Sequence, residues 1–336
     1  MDIRYPHYYK DFACIADRCP DSCCQEWEVD VDPDAAALYR SLPGELGEKL
    51  RSVMVNGEDG WASMAITADR RCPMWRADGL CEIQAELGHE ALCKTCREFP
   101  RLTHDYGDFR EYGLELSCPE AARLILDSRE TGFRTEEAPG GEEPEYDDSL
   151  MEALLHSRAQ ALELLADPAY DLGQALSILL LFGFDVHNAL DFPEDLPASL
   201  DAAEYLATAE RLARPGDIAE VFGAYRELEI LTPEWQELLN RGSVDAPWLP
   251  EHRAMAIYLV QRYWLQAVSD ADLLCRVKFI LTACLTVRHL DAPVLRAAQL
   301  WSKEIENSAD NVESLLTAAY HSPALADTRL LDLLQK

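Results

Sequence analysis

The sequence predicts a mostly α-helical protein: a small cysteine-rich α+β module over residues 1–135, an acidic linker over 136–148, and an all-α helical domain over 149–336. Three observations predict it. Nine of the eleven cysteines fall before residue 120. Residues 136–148 are glutamate, aspartate, proline and glycine broken by one alanine and one tyrosine, so they have almost nothing to bury. Beyond Ser149, apolar side chains return at helical spacing.

The elements follow in order. Residues 33–55 read as helix, residues 62–68 and 109–116 as short strands, and residues 82–97 and 119–128 as helix again. The expected module is therefore mostly helical with a minor antiparallel sheet, held by metal more than by a wide core. After the linker, Ser149 and Glu152 have the spacing of a capping box at a helix start. Leu172, Ala175, Leu176, Leu179 and Leu180 trace one face of an amphipathic helix. Thr232-Pro233 places a capping residue before a proline at the first helical position. Residues 251–268 are apolar nearly all round, which predicts a buried helix, and helical patterns continue over 270–289, 291–307 and 323–335. No unit of 20 to 50 residues repeats, which excludes a solenoid.

At 336 residues the chain has room for one large domain or two small ones. Its 30 Lys and Arg stand against 61 Asp and Glu, a formal charge of −31. Nucleic acid and anionic membranes both demand clustered cations, so neither is an expected partner. The same field draws a cationic ligand or a lysine-bearing protein inward. The longest apolar run, Ile178 to Phe184, is too short to span a bilayer. Met-Asp-Ile-Arg-Tyr-Pro lacks the apolar stretch of a secretory signal, so a cytoplasmic location is expected. Stable disulfides are disfavoured in that compartment, and dense cysteines there bind metal or do redox chemistry.

The cysteines form two clusters. The first is Cys14-x4-Cys19-x3-Cys23-Cys24, and the second is Cys72-x8-Cys81-x11-Cys93-x2-Cys96, with Cys118 set apart before Pro119. Thiolates are soft ligands, and four of them satisfy either a tetrahedral zinc ion or an iron–sulfur cluster. Spacing alone leaves both open. The radical-enzyme spacing C-x3-C-x2-C is absent, and no βαβ pattern surrounds Cys93-Lys-Thr-Cys96 to support a thioredoxin-like reading. Cys275 and Cys284 lie alone in an apolar helical stretch and read as small buried hydrophobes.

Specific flanking residues accompany these cysteines. Phe12-x-Cys14, Cys19-Pro-Asp-Ser-Cys23-Cys24-x2-Trp27, Cys72-Pro73 and Gly79-Leu80-Cys81-Glu82-Ile83-Gln84 resemble the flagellin lysine-N-methylase family. So do Cys96-Arg97-Glu98-Phe99-Pro100-Arg101 and Ser117-Cys118-Pro119-Glu120-Ala121-Ala122-Arg123. That family is related to a broader group of cysteine-rich zinc- or iron-chelating domains. The resemblance is dense over residues 5–128 and thinner at Gln261-Arg262-Tyr263-Trp264 and Trp301-x3-Ile305-Glu306-x4-Asn311. It implies methyl transfer from S-adenosylmethionine to lysine side chains of flagellin, assisted by a [4Fe–4S] cluster or, alternatively, by zinc. The metal-ligating positions it implies are Cys14, Cys19, Cys23, Cys24, Cys72, Cys81, Cys96 and Cys118. Cys93 falls outside the pattern.

Lysine must be neutral to attack a methyl sulfonium, and its free pKa is about 10.4, so the reaction needs desolvation or a base. Tyr106, Tyr112 and Tyr263 are candidates beside the many carboxylates, and spacing singles out none. Trp27, Trp75 and Trp264 could face the sulfonium cation or simply fill the core. No glycine-rich strand-to-helix turn marks a doubly wound nucleotide site. His7, His89 and His104 lie among the cysteines, and Arg97, Arg101 and Arg123 follow cysteines closely, where they could donate to thiolate or pair at the surface. A second reading is non-enzymatic: a zinc- or iron-chelating structural or sensor protein with a helical partner-binding domain.

Overall fold

The computed structural model describes residues 1–25, 28–143, 145–190, 192, 196–197 and 199–336. Among these, fifteen α-helices accompany seven short strands: β1 (Asp2–Pro6), β2 (Val29–Val31), β3 (Met54–Asn56), β4 (Ala62–Met64), β5 (Arg101–Asp105), β6 (Phe109–Leu114) and β7 (Phe133–Glu137). The protein is mostly α, with α+β structure toward its N-terminus, as the periodicity predicts.

Two compact units share the chain, and they do not meet at the acidic stretch. One holds residues 1–12, 103–117 and 121–336; the other holds residues 13–102 and 118–120. The physical reason is strand pairing. β1 runs parallel to β6, with Asp2 opposite Phe109 and Arg4 opposite Glu111, and antiparallel to β7, with Asp2 opposite Glu137 and Pro6 opposite Phe133. The resulting sheet, in the order β5-β6-β1-β7, is mixed, whereas the sheet β2-β4-β3 is antiparallel, as expected. The four-stranded sheet groups residues 1–12 and 103–117 with the helices rather than with the cysteines. The acidic stretch is also shorter than its composition suggests, because β7 extends through Glu137 and Tyr146 donates to Asp108 at 2.8 Å.

In the larger unit, the helix Leu273–His289 is buried at every residue. Helices Leu172–Ala189, Ile218–Arg226, Pro250–Tyr263, Val294–Ile305 and Ala309–His321 pack around it. Gly183 permits one close approach, since a Cβ there would lie 2.7 Å from Val277 Cγ2. Leu172–Ala189 is, among the described residues, the one helix long and apolar enough to cross a membrane, and 67% of that window is buried in the bundle. Its start is an Asp171–Gln174 capping box. Thr232 caps Pro233–Arg241 as predicted, its hydroxyl accepting from Trp235 N at 3.2 Å. Ser149 is not a cap: Asp147 holds that place and accepts from Ser149 N and Leu150 N. Helices Ala202–Leu212, Ile218–Arg226 and Ala309–His321 lie outside every predicted helical stretch.

One ion pair is fully enclosed. Arg158 donates two parallel hydrogen bonds to Glu111, at 2.6 and 2.7 Å, and both side chains are at most 5% exposed. Arg158 also donates to Gln261 O at 3.4 Å and lies 5.0 Å from the Phe133 ring.

The smaller unit carries the sheet β2-β4-β3 and a real core. Val29, Val31, Ala36, Tyr39, Leu50 and Met74 are among its buried residues, so an apolar core of its own holds it together. The predicted 33–55 helix divides at Leu42-Pro43 into Pro33–Ser41 and Gly44–Val53. The predicted 82–97 helix divides at Gly88, whose φ of +86° belongs to the left-handed region.

Arg158→Met should lower unfolding stability by about 3–5 kcal/mol, because it strands the Glu111 carboxylate in the core, while Arg158→Met with Glu111→Leu should recover most of that loss. Denaturant titration of both variants checks this. Cys275 and Cys284 are buried, and burial pushes the thiol of Cys275 up to about 12 and that of Cys284 up as well. Alkylation of the native protein, followed by mass spectrometry, should modify exposed Cys14 and Cys23 well before either.

Candidate functional site

All nine N-terminal cysteines fall in the smaller unit. Eight lie within residues 13–102, and Cys118 comes with the three-residue return of residues 118–120. Chain connections bring the segments together. Cys72 N donates to Cys24 O at 2.8 Å, and Trp75 and Cys81 form an antiparallel bridge. Cys93 is buried in the core of this unit, and Cys72, Cys81 and Cys96 pack against that same core. Cys81 and Cys93 each sit just before a short helix.

The thiols meet in pairs. Cys24 donates toward Cys23 and Cys72, and those bonds, together with burial, push its thiol well above the ordinary range. Its partner Cys72, accepting from Cys24, is held down to about 7. Cys96 donates to Cys93 and is pushed up, while Cys93 is held below its ordinary value by that bond. Burial raises Cys81 and Cys19. This is the pattern of crowded thiols among which one member of each pair can ionise while its neighbour keeps the proton.

None of the eleven cysteines is joined in a disulfide. The donor atoms fit a thiolate centre in kind and in number. Among the described residues no three His, Cys, Asp or Glu side chains are already arranged to hold an ion jointly, and Cys24, hydrogen-bonded to both Cys23 and Cys72, comes nearest to such a set. Cys93, which falls outside the resemblance, is nevertheless hydrogen-bonded to Cys96. Its C-x2-C spacing was the signal that could have kept it in the set.

Other candidates resolve more simply. Arg123 pairs with Asp127 at 3.1 Å, and Arg97 reaches Leu92 O at 3.5 Å. Arg71 stacks 4.6 Å from the Trp75 ring, and Trp264 is enclosed, donating to Ser157 Oγ at 3.0 Å. Trp27 lies outside the described residues. His7 sits 3.4 Å from Glu130. A cavity of about 490 Å³ between Phe184, Tyr205 and Leu331 is lined by four carboxylates, three of which are engaged. Asp185 accepts from Tyr205, Asp201 caps a helix, and Asp327 pairs with Lys278 at 2.7 Å.

The two remote motifs of the helical part come together. Glu306, 1% exposed in its side chain, lies 3.3 Å from Arg262 and accepts from Tyr263 at 2.9 Å, from Tyr258 at 3.2 Å and from Ser302. Arg262 donates to Tyr258 at 2.6 Å. Asn311 ties Glu229 to Glu304 through three hydrogen bonds of 2.9 Å, an inter-helix clamp rather than a reactive group. Glu115, just past β6, stands within electrostatic reach of Arg262 and Glu306, and burial raises its carboxyl. Tyr106 is half-buried and stacked on Phe109, and Tyr112 lies 5.6 Å from the Tyr9 ring, whereas Tyr263 hydrogen-bonds within the network. Sequence reasoning missed Tyr258, Ser302 and Glu115. The first two stand four residues before Arg262 and Glu306, the spacing of neighbours on a helix face.

No protein-family model matches this chain, and no solved structure does. The chain is 29% identical over 137 residues to flagellar biosynthetic protein FliU of Salmonella muenchen, a match covering 38% of this chain and 78% of FliU. It is 28% identical over 131 residues to the lysine-N-methylases of Salmonella choleraesuis SC-B67 and Salmonella typhimurium LT2. Those matches cover 38% of this chain and only 33% of each relative. The resemblance expected from the cysteine motifs therefore holds over about two fifths of the chain: it is similar to proteins named for lysine N-methylation and for flagellar biosynthesis.

Proposed function

We propose that this protein is a cytoplasmic lysine N-methyltransferase that acts on flagellin with S-adenosylmethionine as methyl donor, and that its cysteine-rich unit binds a [4Fe–4S] cluster or zinc. The observation that carries the reading is the likeness to proteins named lysine-N-methylase. Two physical features support it. An excess of 31 negative charges favours encounter with lysine-bearing surfaces. Nine cysteines drawn from distant segments are gathered into one unit of about ninety residues, with no cystine to account for them.

The chemistry asks for modest means. A neutral lysine nitrogen attacks the methyl carbon of the sulfonium, the sulfur–carbon bond breaks, and the sulfur leaves as a neutral thioether. The protein must strip or share the ammonium proton and hold two reactants in line, excluding water. A bound metal centre would organise the thiol-rich unit, and Cys14, Cys19, Cys23, Cys24, Cys72, Cys81, Cys96 and Cys118 are the positions proposed for it.

Incubating anaerobically purified protein with labelled methyl donor and flagellin, with iron and zinc quantified on the same sample, tests the proposal. Label in flagellin lysines together with bound iron is the expected result. A colourless protein with stoichiometric zinc and no transfer favours the chelating, non-enzymatic reading instead. Cys23→Ser and Cys24→Ser should each lose metal and lower the stability of the smaller unit, because metal-binding energy is also folding energy. Cys275→Ala should leave metal content unchanged. Full metal content in both N-terminal variants would refute the assignment.

A further inference from the structure

Cys93 stands outside the eight proposed metal positions, yet its surroundings match those of several of them. Its thiol accepts from Cys96, as that of Cys72 accepts from Cys24. Cys93 is buried in the apolar core of the smaller unit, and Cys72, Cys81 and Cys96 pack against that same core. The backbone N–H groups of Met74 and Trp75 face the sulfur of Cys72, those of Ile83 and Gln84 face Cys81, and that of Cys96 faces Cys93. Amides aimed at a sulfur favour its thiolate form. Cys284, enclosed in the larger unit, is acted on by burial alone. Cys93 is therefore built like the thiols of the proposed centre and unlike a cysteine that serves as a small hydrophobe.

The chemistry of a thiolate centre follows from that contact. Two sulfurs on one tetrahedral zinc, each about 2.3 Å from the metal, are about 3.8 Å apart, which is the separation of two thiols in hydrogen-bond contact. The C-x2-C spacing of Cys93 and Cys96 occurs in zinc knuckles and in cluster-binding runs alike. A metal that draws Cys96 into its thiolate form removes the proton linking the two sulfurs. Cys93 then exchanges a weak S–H···S contact for a bond to the metal. Exposed Cys23 and half-buried Cys24, Cys72 and Cys96 leave an ion a way in from solvent. We infer that Cys93 is a ninth metal-ligating position, sharing one centre with Cys96 and with thiolates of the Cys23, Cys24 and Cys72 group. The inference deepens the proposed metal binding and rests on it, and it is independent of methyl transfer.

The test counts iron and zinc on the anaerobically purified full chain, on Cys93→Ala and on Cys284→Ala, before and after the same series of chelator challenges. Cys93→Ala should release its metal at a chelator concentration about a hundredfold lower or more, since even the outer partners of a ligand are worth about 10–100-fold in affinity. Cys284→Ala, which removes a buried thiol from the larger unit, should match the natural chain. Metal held as firmly by folded Cys93→Ala as by the natural chain overturns the inference. A second measurement needs no substitution. The natural chain exchanged with NMR-active cadmium should show scalar coupling from the metal to the β protons of Cys93 and Cys96, which a packing role for Cys93 would not produce. Coupling to other cysteines but not to Cys93 overturns the inference even where Cys93→Ala does not fold. A natural chain that takes up neither iron, zinc nor cadmium overturns the inference and the proposed centre together. The readings otherwise fail separately. Firm retention by Cys93→Ala leaves the eight positions standing, whereas cadmium coupled to Cys93 without any methyl transfer to flagellin sinks the methylase alone.

Discussion

The parallel pairing of β1 with β6 is the constraint on which the organisation of the chain depends. Parallel neighbours cannot be joined by a tight turn and need a crossover connection. Here the crossover runs from residue 7 to residue 108 and contains nearly all of the smaller unit. Residues at the N-terminus and residues beyond 102 are thus laced into one sheet, and eight of the cysteines lie on the excursion between the end of β1 and the start of β6. The sulfur atoms owe their gathering to the sheet and to a core of ordinary hydrophobes as much as to any attraction among themselves.

The larger unit is built on the opposite principle. Its central helix is buried at every residue, and two arginines in the bundle are each paired with a carboxylate. Arg158 with Glu111 and Arg262 with Glu306 show two degrees of completion. The first is a closed pair in which each oxygen of the carboxylate meets a nitrogen of the guanidinium. The second is a node that reaches beyond itself to Tyr258, Tyr263, Ser302 and, through the field of Arg262, to Glu115. Apolar replacement of the first would disturb packing only. The second shares its hydrogen bonds among several side chains, so a change in one member is felt by the others.

Much of the helical fold was legible because burial imposes a period. The Leu172 stripe and the Thr232-Pro233 start both correspond to observed elements. The miss at Ser149 has a local cause, since Asp147 offers a carboxylate two residues earlier and captures the same backbone donors. β1 and β7 were invisible because their partners lie over a hundred residues away in β6 and in each other, and the alternation in five residues is too brief to stand out. The gathering of the cysteines and the Arg262 and Glu306 motifs, which meet in an ion pair, were legible in the sequence. Tyr258 and Ser302 were not, because only folding brings their hydroxyls onto the Glu306 carboxylate.

The three-residue return at Cys118 has a consequence for how this protein can be divided. Because the chain crosses between the units at four places, after residues 12, 102, 117 and 120, the thiol-bearing part is not a bead on a string. A fragment cut at residues 13 and 102 would be a continuous polypeptide and yet an incomplete object, missing the one sulfur that arrives from outside it. Dissection by truncation is therefore the wrong instrument for this molecule, and single-atom changes within the intact chain are the right one.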